Sequence, residues 1–129
     1  MSRENVDTVV RVIGAINRRD VEAALRELGD DAEYIDHRAS GREHFRGHQA
    51  FRAHFAALWK SADVQIVAEK IADPGDRVVM RQAVASVDPS GLRSESVRWV
   101  TRTVLDGRIQ RVEVFDNRDA ALEAVGLQE

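Results

Sequence analysis

The chain has 129 residues, of which 43% are hydrophobic and 32% charged, and its formal net charge is −3. This length and composition predict a single globular domain, residues 1–129, with one core. Lysines and arginines are scattered, so the charge pattern does not favour nucleic acid or an anionic membrane as a partner. The absence of cysteine excludes disulfides, a thiol nucleophile and thiolate metal ligands. With no apolar run long enough to cross a bilayer and no signal-peptide pattern, we expect a cytoplasmic protein.

Two helices are predicted at the start of the chain. Between residues 3 and 18 valine and isoleucine recur at helical spacing, which predicts a helix with one buried stripe. Asp20 is a suitable N-cap for a second helix, and Gly29 is placed to end it.

Residues 30–37 follow as a predicted strand. Alternation places Tyr34 and Asp36 on the same side of this strand. If that side is concave, Asp36 is a partly desolvated carboxylate with a raised proton affinity, as a general base requires. The alternative is that Asp36 only caps the turn that follows.

Residues 38–46 predict a polar loop, which is either a lid or an ordinary solvated connection. His44 and His48 stand four residues apart, as in metal-binding helical pairs, but Gly47 intervenes. We therefore expect no metal site.

A third helix is predicted from about His48 to Lys60. Phe51, Phe55 and Leu58 form its buried stripe. His54 falls within that stripe, so it needs a partner, whether as a hydrogen-bonded core residue or as a catalytic group.

The rest of the chain predicts four strands joined by turns, followed by a short helix. The strands cover residues 63–71, 77–87, 94–104 and 109–115, and the helix covers residues 118–125. The order is helix, helix, strand, helix and meander. It predicts an α+β fold in which a curved, mostly antiparallel sheet wraps around the long third helix and leaves a conical pocket.

Several stretches carry a family resemblance: Asp30-Asp31-Ala32 through Asp36, Gly47 at the third helix, Gly107-Arg108-Ile109-Gln110 with residues 112–116, and the ending FDNRDAALEAVGL. At these stretches the chain resembles the nuclear transport factor 2-like superfamily, which includes the ketosteroid isomerases and the SnoaL-like polyketide cyclases. The resemblance covers nearly the whole chain and implies the same cone-shaped fold.

The resemblance also implies roles for individual residues. Asp36 matches the general base of the isomerases, and His54 and Asp116 match positions that line their pocket. Trp99 and Val12 stand where the isomerases place the acid and the tyrosine of the oxyanion hole. A valine donates no hydrogen bond and an indole is a weaker donor than a buried acid, so this is not a standard ketosteroid isomerase. The Arg-x-Asp pair of the limonene-epoxide-hydrolase-like members is not apparent either.

Strand alternation, read with the resemblance, predicts which strand residues face the pocket. These are Val78, Met80, Gln82 and Val84, then Val97, Trp99 and Thr101, then Val112, Val114 and Asp116. We predict Asp36, His54 and Asp116 as the catalytic group. The predicted substrate-binding residues are Tyr34, Phe51, Leu58, Met80, Gln82, Trp99, Val112 and Val114.

Two functions are compatible with this pocket. The first is a cofactor-free acid–base enzyme, an isomerase, cyclase or dehydratase, acting on a small hydrophobic, aromatic or alicyclic oxygenated molecule. In it Asp36 accepts the proton, His54 orients or relays it, and Tyr34 or Trp99 donates to an oxyanion. The second is a binding or association module without turnover. Asp116 could equally cap the terminal helix, and Tyr34 and Trp99 could be core aromatics.

Both parities of the later strands carry apolar residues, which favours a homodimer through the outer face of the sheet. Arg81 and Arg98 are predicted on that face, and the dimer surface is predicted to carry Arg81, Ala83, Val100 and Arg102.

Overall fold

A computed structural model describes residues 2–41 and 43–127. The helices are α1 (Ser2–Asn17), α2 (Val21–Arg26), α3 (His48–Ser61) and α4 (Arg118–Ala124). The strands are β1 (Leu28–Asp36), β2 (His44–Arg46), β3 (Asp63–Ala72), β4 (Arg77–Val87), β5 (Arg93–Leu105) and β6 (Arg108–Phe115). Within these ranges none of the helices has the length and apolar character that a membrane span requires.

All six strands form one curved sheet in the order β2-β1-β6-β5-β4-β3. Neighbouring strands are antiparallel except β1 and β6, which are parallel. The predicted α+β class, with its final four-strand meander, is therefore confirmed. Helices α1, α2 and α3 pack against one face of the sheet, here called the inner face, and α4 packs against the other, the outer face.

The residues that precede α2 and α3 are suited to the start of a helix. The Asp20 carboxylate accepts a hydrogen bond from the backbone N–H of Ala23, so it caps α2 as predicted. Gly47 precedes α3 with φ of +94°, in the left-handed region that glycine enters at little cost. On α3, Phe51 and Phe55 are buried against the inner face.

Strand β2 lies within the segment that the sequence predicts to be a loop. It has three residues and pairs with β1, with Phe45 opposite Tyr34. The two rings stack with their centroids 4.7 Å apart. A three-residue strand is too short for alternation to reveal it, and its pairing with β1 is a contact that the local sequence does not predict.

The faces of β5 differ from the prediction. Paired residues in neighbouring strands share a face, and Arg98 pairs with Gln82 whereas Arg102 pairs with Val78. Arg98, Val100 and Arg102 therefore point to the inner face, and the predicted inward placement of Val97, Trp99 and Thr101 is wrong.

Trp99 instead lies on the outer face, opposite Arg81 on β4 and Phe115 on β6. There it packs against a small cluster formed by Val79, Phe115 and Ala121. The predicted outward placement of Arg98, Val100 and Arg102 is wrong for the same reason. Arg102 and Val100 are 5% and 2% exposed, so neither can belong to a dimer surface.

Candidate functional site

An internal cavity of about 260 Å³ lies between the inner face and helices α1 and α3. Its walls are largely apolar, with polar groups from β1, α3, β4 and β5 and from the segment between β1 and β2. The predicted site residues that line it are Tyr34, Phe51, His54, Leu58, Gln82, Val112 and Val114. Val12, from α1, also lines it. A largely apolar cavity with a few convergent polar groups is typical of a small-molecule site.

A larger groove of about 880 Å³ lies between the first turns of α1 and the turns after β3 and β5. Its lining is mostly polar and charged, with Glu4, Asp7, Asp76 and Asp106 among its residues. The inner cavity has the more apolar walls and is therefore the stronger candidate.

Asp36 is buried beside the cavity and is bound by Arg38. Arg38 Nε and Nη2 donate to the two carboxylate oxygens at 2.9 and 2.7 Å, and the backbone N–H of Arg38 donates to Oδ1 at 3.0 Å. The Asp36 side chain is 1% exposed, and any side chain at Gly41 would collide with it. The carboxylate is thus sealed between Arg38 and the loop that follows.

The pKa of Asp36 is lowered, which contradicts the predicted rise in proton affinity. Burial raises this pKa, but the hydrogen bonds from the Arg38 guanidinium and backbone, with the charge of Arg38, outweigh burial. Asp36 is therefore a structural anion that fixes Arg38 against the cavity. Its predicted role as general base stays a prediction, and its contacts do not favour it.

His54 lines the cavity from α3. Burial lowers the pKa of His54, and the nearby carboxylate of Glu43 opposes that effect without reversing it. Its Nδ1 lies 3.6 Å from Glu43 Oε2, beyond the usual length of a hydrogen bond. A neutral imidazole at pH 7 has a free lone pair, so His54 can accept a proton.

Tyr34 stands next to His54, with ring centroids 4.9 Å apart. It is held by stacking on Phe45 and by an edge contact with Phe51 at 6.1 Å. Burial and the charge of Asp36 raise the pKa of Tyr34, so its hydroxyl stays protonated and can donate a hydrogen bond.

Two arginines of β5 also line the cavity. Arg102 Nη1 donates to Gln82 Oε1 at 2.8 Å, and within residues 2–41 and 43–127 no carboxylate oxygen lies within 4.0 Å of Arg102. Burial lowers the pKa of Arg102 to about 10, which leaves it cationic at pH 7. Nε of Arg98 is buried and has no acceptor among the described residues.

Besides Asp36, three predicted site residues lie outside the cavity lining. Met80 is buried in the core on the inner face. Asp116 is exposed after the end of β6, and its Oδ2 accepts a hydrogen bond from the backbone N–H of Ala39 at 2.9 Å. The cap of α4 is Asn117, so Asp116 does not serve as that cap either. Trp99 lies on the outer face, where its indole N–H has no acceptor among the described residues.

Four charged residues of the cavity were not predicted from the sequence, namely Arg38, Glu43, Arg98 and Arg102. The pattern of β5 does not place the last two, because both of its parities carry apolar and polar residues. The pairing of β4 with β5 joins residues whose numbers are both even or both odd, so an inward Gln82 brings Arg98 inward. Arg38 and Glu43 follow no strand pattern, because their positions depend on the path of the loop.

No three His, Cys, Asp or Glu side chains converge on a metal-sized site among the described residues. His44 contacts Glu33 on the surface, whereas His48 bonds the carbonyl oxygen of Leu28. The two histidines therefore do not point to a common site.

The cavity and fold can be compared with known proteins. A family model described as a SnoaL-like domain matches residues 9–112. The chain therefore belongs to the SnoaL-like domain family, within the nuclear transport factor 2-like superfamily. The comparison with curated proteins found no match.

Solved structures share the fold. A predicted polyketide cyclase of Xanthomonas campestris pv. campestris is 26% identical, with a TM-score of 0.77 over 90% of this chain and 92% of that one. A nuclear transport factor 2-like protein of Burkholderia xenovorans LB400 is 21% identical, with a TM-score of 0.77 over 96% and 97%. An LEH-like epoxide hydrolase of M. tuberculosis is 20% identical, with a TM-score of 0.78 over 90% and 84%.

Proposed function

We propose that this protein is a cofactor-free acid–base enzyme that moves a proton on a small, apolar, oxygenated molecule bound in the inner cavity. The observation that carries the proposal is the adjacency of His54 and Tyr34 inside one apolar cavity. A neutral imidazole and a protonated phenol beside each other supply an acceptor and a donor for the same substrate.

In this proposal His54 takes a proton from a carbon next to a carbonyl group. The negative charge moves to the carbonyl oxygen, where the Tyr34 hydroxyl stabilises it by a hydrogen bond. The proton then returns to a different carbon, giving an isomerase, or to an alkoxide after carbon–carbon bond formation, giving a cyclase. If it goes to a departing hydroxide, which leaves as water, the enzyme is a dehydratase. The SnoaL-like family and the likeness to a predicted polyketide cyclase support this class of reaction.

His54 replaces Asp36 as the proposed proton acceptor because both oxygens of Asp36 are already bound by Arg38. The role left for Asp36 is to hold Arg38 at the cavity wall. Glu43, on the rim, stabilises the imidazolium that forms when His54 accepts the proton.

The test measures hydrogen–deuterium exchange at carbon, which requires no identified product. A panel of aromatic and alicyclic ketones is incubated with the protein in D2O, and loss of the α-proton signals is followed by NMR. We expect exchange with the wild type, and we expect His54→Gln to lower its rate by a factor of about 10² to 10⁴. His44→Gln, which removes an exposed histidine on β2, should leave the rate unchanged.

Exchange that persists in His54→Gln but is lost in Asp36→Asn would return the base to Asp36. No exchange with any ketone would favour the second candidate function, a binding module without turnover. That candidate is favoured by the same cavity, which does not by itself require a reaction.

The homodimer expected from the sequence is also kept as a proposal, with its surface redefined. Val67, Ala83 and Val97 are cross-strand neighbours on the outer face, and Val67 and Val97 are 73% and 41% exposed. Adjacent exposed valines on a sheet are suited to pairing with a second copy. Light scattering that gives the mass of a monomer at micromolar concentration would refute it.

A further inference from the structure

The inner cavity holds more positive than negative charge. Arg38, Arg98 and Arg102 all line it, whereas Asp36, the buried carboxylate beside them, is already bound by Arg38. Glu43 is on the rim, with 59% of its side chain exposed to solvent. The two arginines of β5 therefore have no anionic partner of their own among the described residues.

Arg102 is the more deeply buried of the two arginines of β5. It is 5% exposed, and its one hydrogen-bond partner among the described residues is the neutral side-chain oxygen of Gln82. Removing a guanidinium from water is costly, and one bond to an amide recovers little of that cost. Buried cations are normally paired, so the free protein carries a charge that it has not compensated.

The position of Arg102 within the cavity shows where its partner would sit. Gln82 pairs with Arg98 across the sheet, so the bond from Arg102 to Gln82 directs its head toward the level of Arg98. Both arginines and Tyr34 line the same cavity. An anion beside Arg102 would therefore also lie within the field of Arg98 and next to the proposed catalytic pair.

We propose that the ligand of this cavity is a small aromatic or alicyclic carboxylate, whose carboxylate group binds Arg102 with Arg98 as a second positive charge. The planar fork of a guanidinium matches the two oxygens of a carboxylate. The apolar body of the ligand would lie against Phe51, Phe55 and Val112. The inference takes from the proposed function that the cavity is the ligand site, and it adds the chemical class of the substrate.

The test compares matched probes that differ in charge. Binding of 2-naphthoate and of its neutral counterpart 2-naphthamide is measured by isothermal titration calorimetry at pH 7.5, with no turnover required. For the wild type we expect 2-naphthoate to bind roughly tenfold tighter than 2-naphthamide, or more, a difference of about 1.4 kcal/mol. Arg102→Met should reduce the ratio of the two affinities to about one.

A second variant keeps the test independent of the folding of Arg102→Met. Gln82→Glu is nearly isosteric and places a carboxylate against Arg102 Nη1, so it should occupy the guanidinium and also remove the preference for 2-naphthoate. Gln65→Glu adds the same charge at an exposed position of β3 and should keep the preference.

Equal affinities of the wild type for the two probes, or binding of neither, would overturn the inference. So would a preference that is unchanged in Gln82→Glu. Failure of the proposed function gives a different pattern, because a binding module would prefer the carboxylate and yet catalyse no exchange. Exchange of neutral ketones without any preference for 2-naphthoate would sink only the carboxylate inference.

Discussion

The two sides of the cavity differ in whether their buried charges are paired. On the β1 side, the carboxylate of Asp36 and the guanidinium of Arg38 share two side-chain hydrogen bonds. On the β4–β5 side, Arg102 has only the neutral Gln82, and Arg98 leaves a buried Nε without an acceptor among the described residues. In the first pair each charge is bonded to an opposite charge, and the pair holds the loop after β1. The second group lacks an anion, which we propose the ligand supplies.

A carboxylate buried beside a pocket is not necessarily the reactive group of that pocket. Asp36 lies on the inner side of β1, as predicted, yet its strong contacts make it a weaker proton acceptor than an ordinary aspartate. His54, whose contact with Glu43 is long, keeps a free lone pair. Groups that the fold leaves incompletely bonded are the better candidates for chemistry.

The largest effect on stability is expected from breaking the complete pair. Asp36→Asn removes the negative charge and leaves Arg38 partly buried without an anion, so the free energy of unfolding should fall by about 2 kcal/mol. The loss is below that of a fully buried pair because 21% of the Arg38 side chain reaches solvent. Urea unfolding followed by circular dichroism measures it.

Asp116→Asn is the matched control for that variant. Its carboxylate holds the same loop through the backbone N–H of Ala39 but is exposed, so the loss should be no more than about 0.5 kcal/mol. Equal losses in the two variants would show that the Asp36–Arg38 pair contributes no more than a surface contact.

A smaller change of opposite sign is expected on the β4–β5 side. The double variant Arg102→Met with Gln82→Leu removes the uncompensated charge. It also removes the amide of Gln82, which would otherwise lose its hydrogen-bond donor. Its free energy of unfolding should be unchanged or higher by about 1 kcal/mol, since apolar replacements of buried charges are often stabilising. Urea unfolding in the absence of any ligand tests this, and a loss above about 2 kcal/mol would show that Arg102 stabilises the free protein.

The smallest effect concerns pH. The pKa of His54 is lowered from its ordinary 6.5 in the folded protein, so below pH 6.5 the unfolded chain binds more protons than the folded one. The free energy of unfolding should therefore fall as the pH falls from 6.5 through the folded pKa of His54. The slope cannot exceed about 1.4 kcal/mol per pH unit for one proton.

Comparing the wild type with His54→Gln between pH 4.5 and 8 isolates this contribution. The lowered pKa of Asp36 gives the same sign, but only below its ordinary value of 3.8, so the two groups separate on the pH axis. A pH dependence that is identical in His54→Gln would contradict a buried, neutral His54.

Apart from β2, the sequence by itself determined the order of the elements, and it determined the face of most of them. On β1, burial alternates from Ala32 to Asp36, and the sequence placed Tyr34 and Asp36 on one side of the strand without deciding that this side is the inner one. On α3, the spacing of Phe51, His54 and Phe55 places all three residues on one side of the helix. Strong local patterns fix local geometry, because each wrong alternative would expose an apolar side chain.

Tertiary structure alone decided the chemistry of the cavity. In β5, Val97, Trp99 and Thr101 alternate with Arg98, Val100 and Arg102, so neither parity is clearly apolar. Only the pairing of β5 with β4 and β6, set by hairpins on both sides, turns the arginines inward. Asp36 likewise could be placed on a face, but not beside Arg38, because that contact depends on the path of the loop after β1. A side chain's direction along a strand is a local property, whereas its partner is a property of the whole fold.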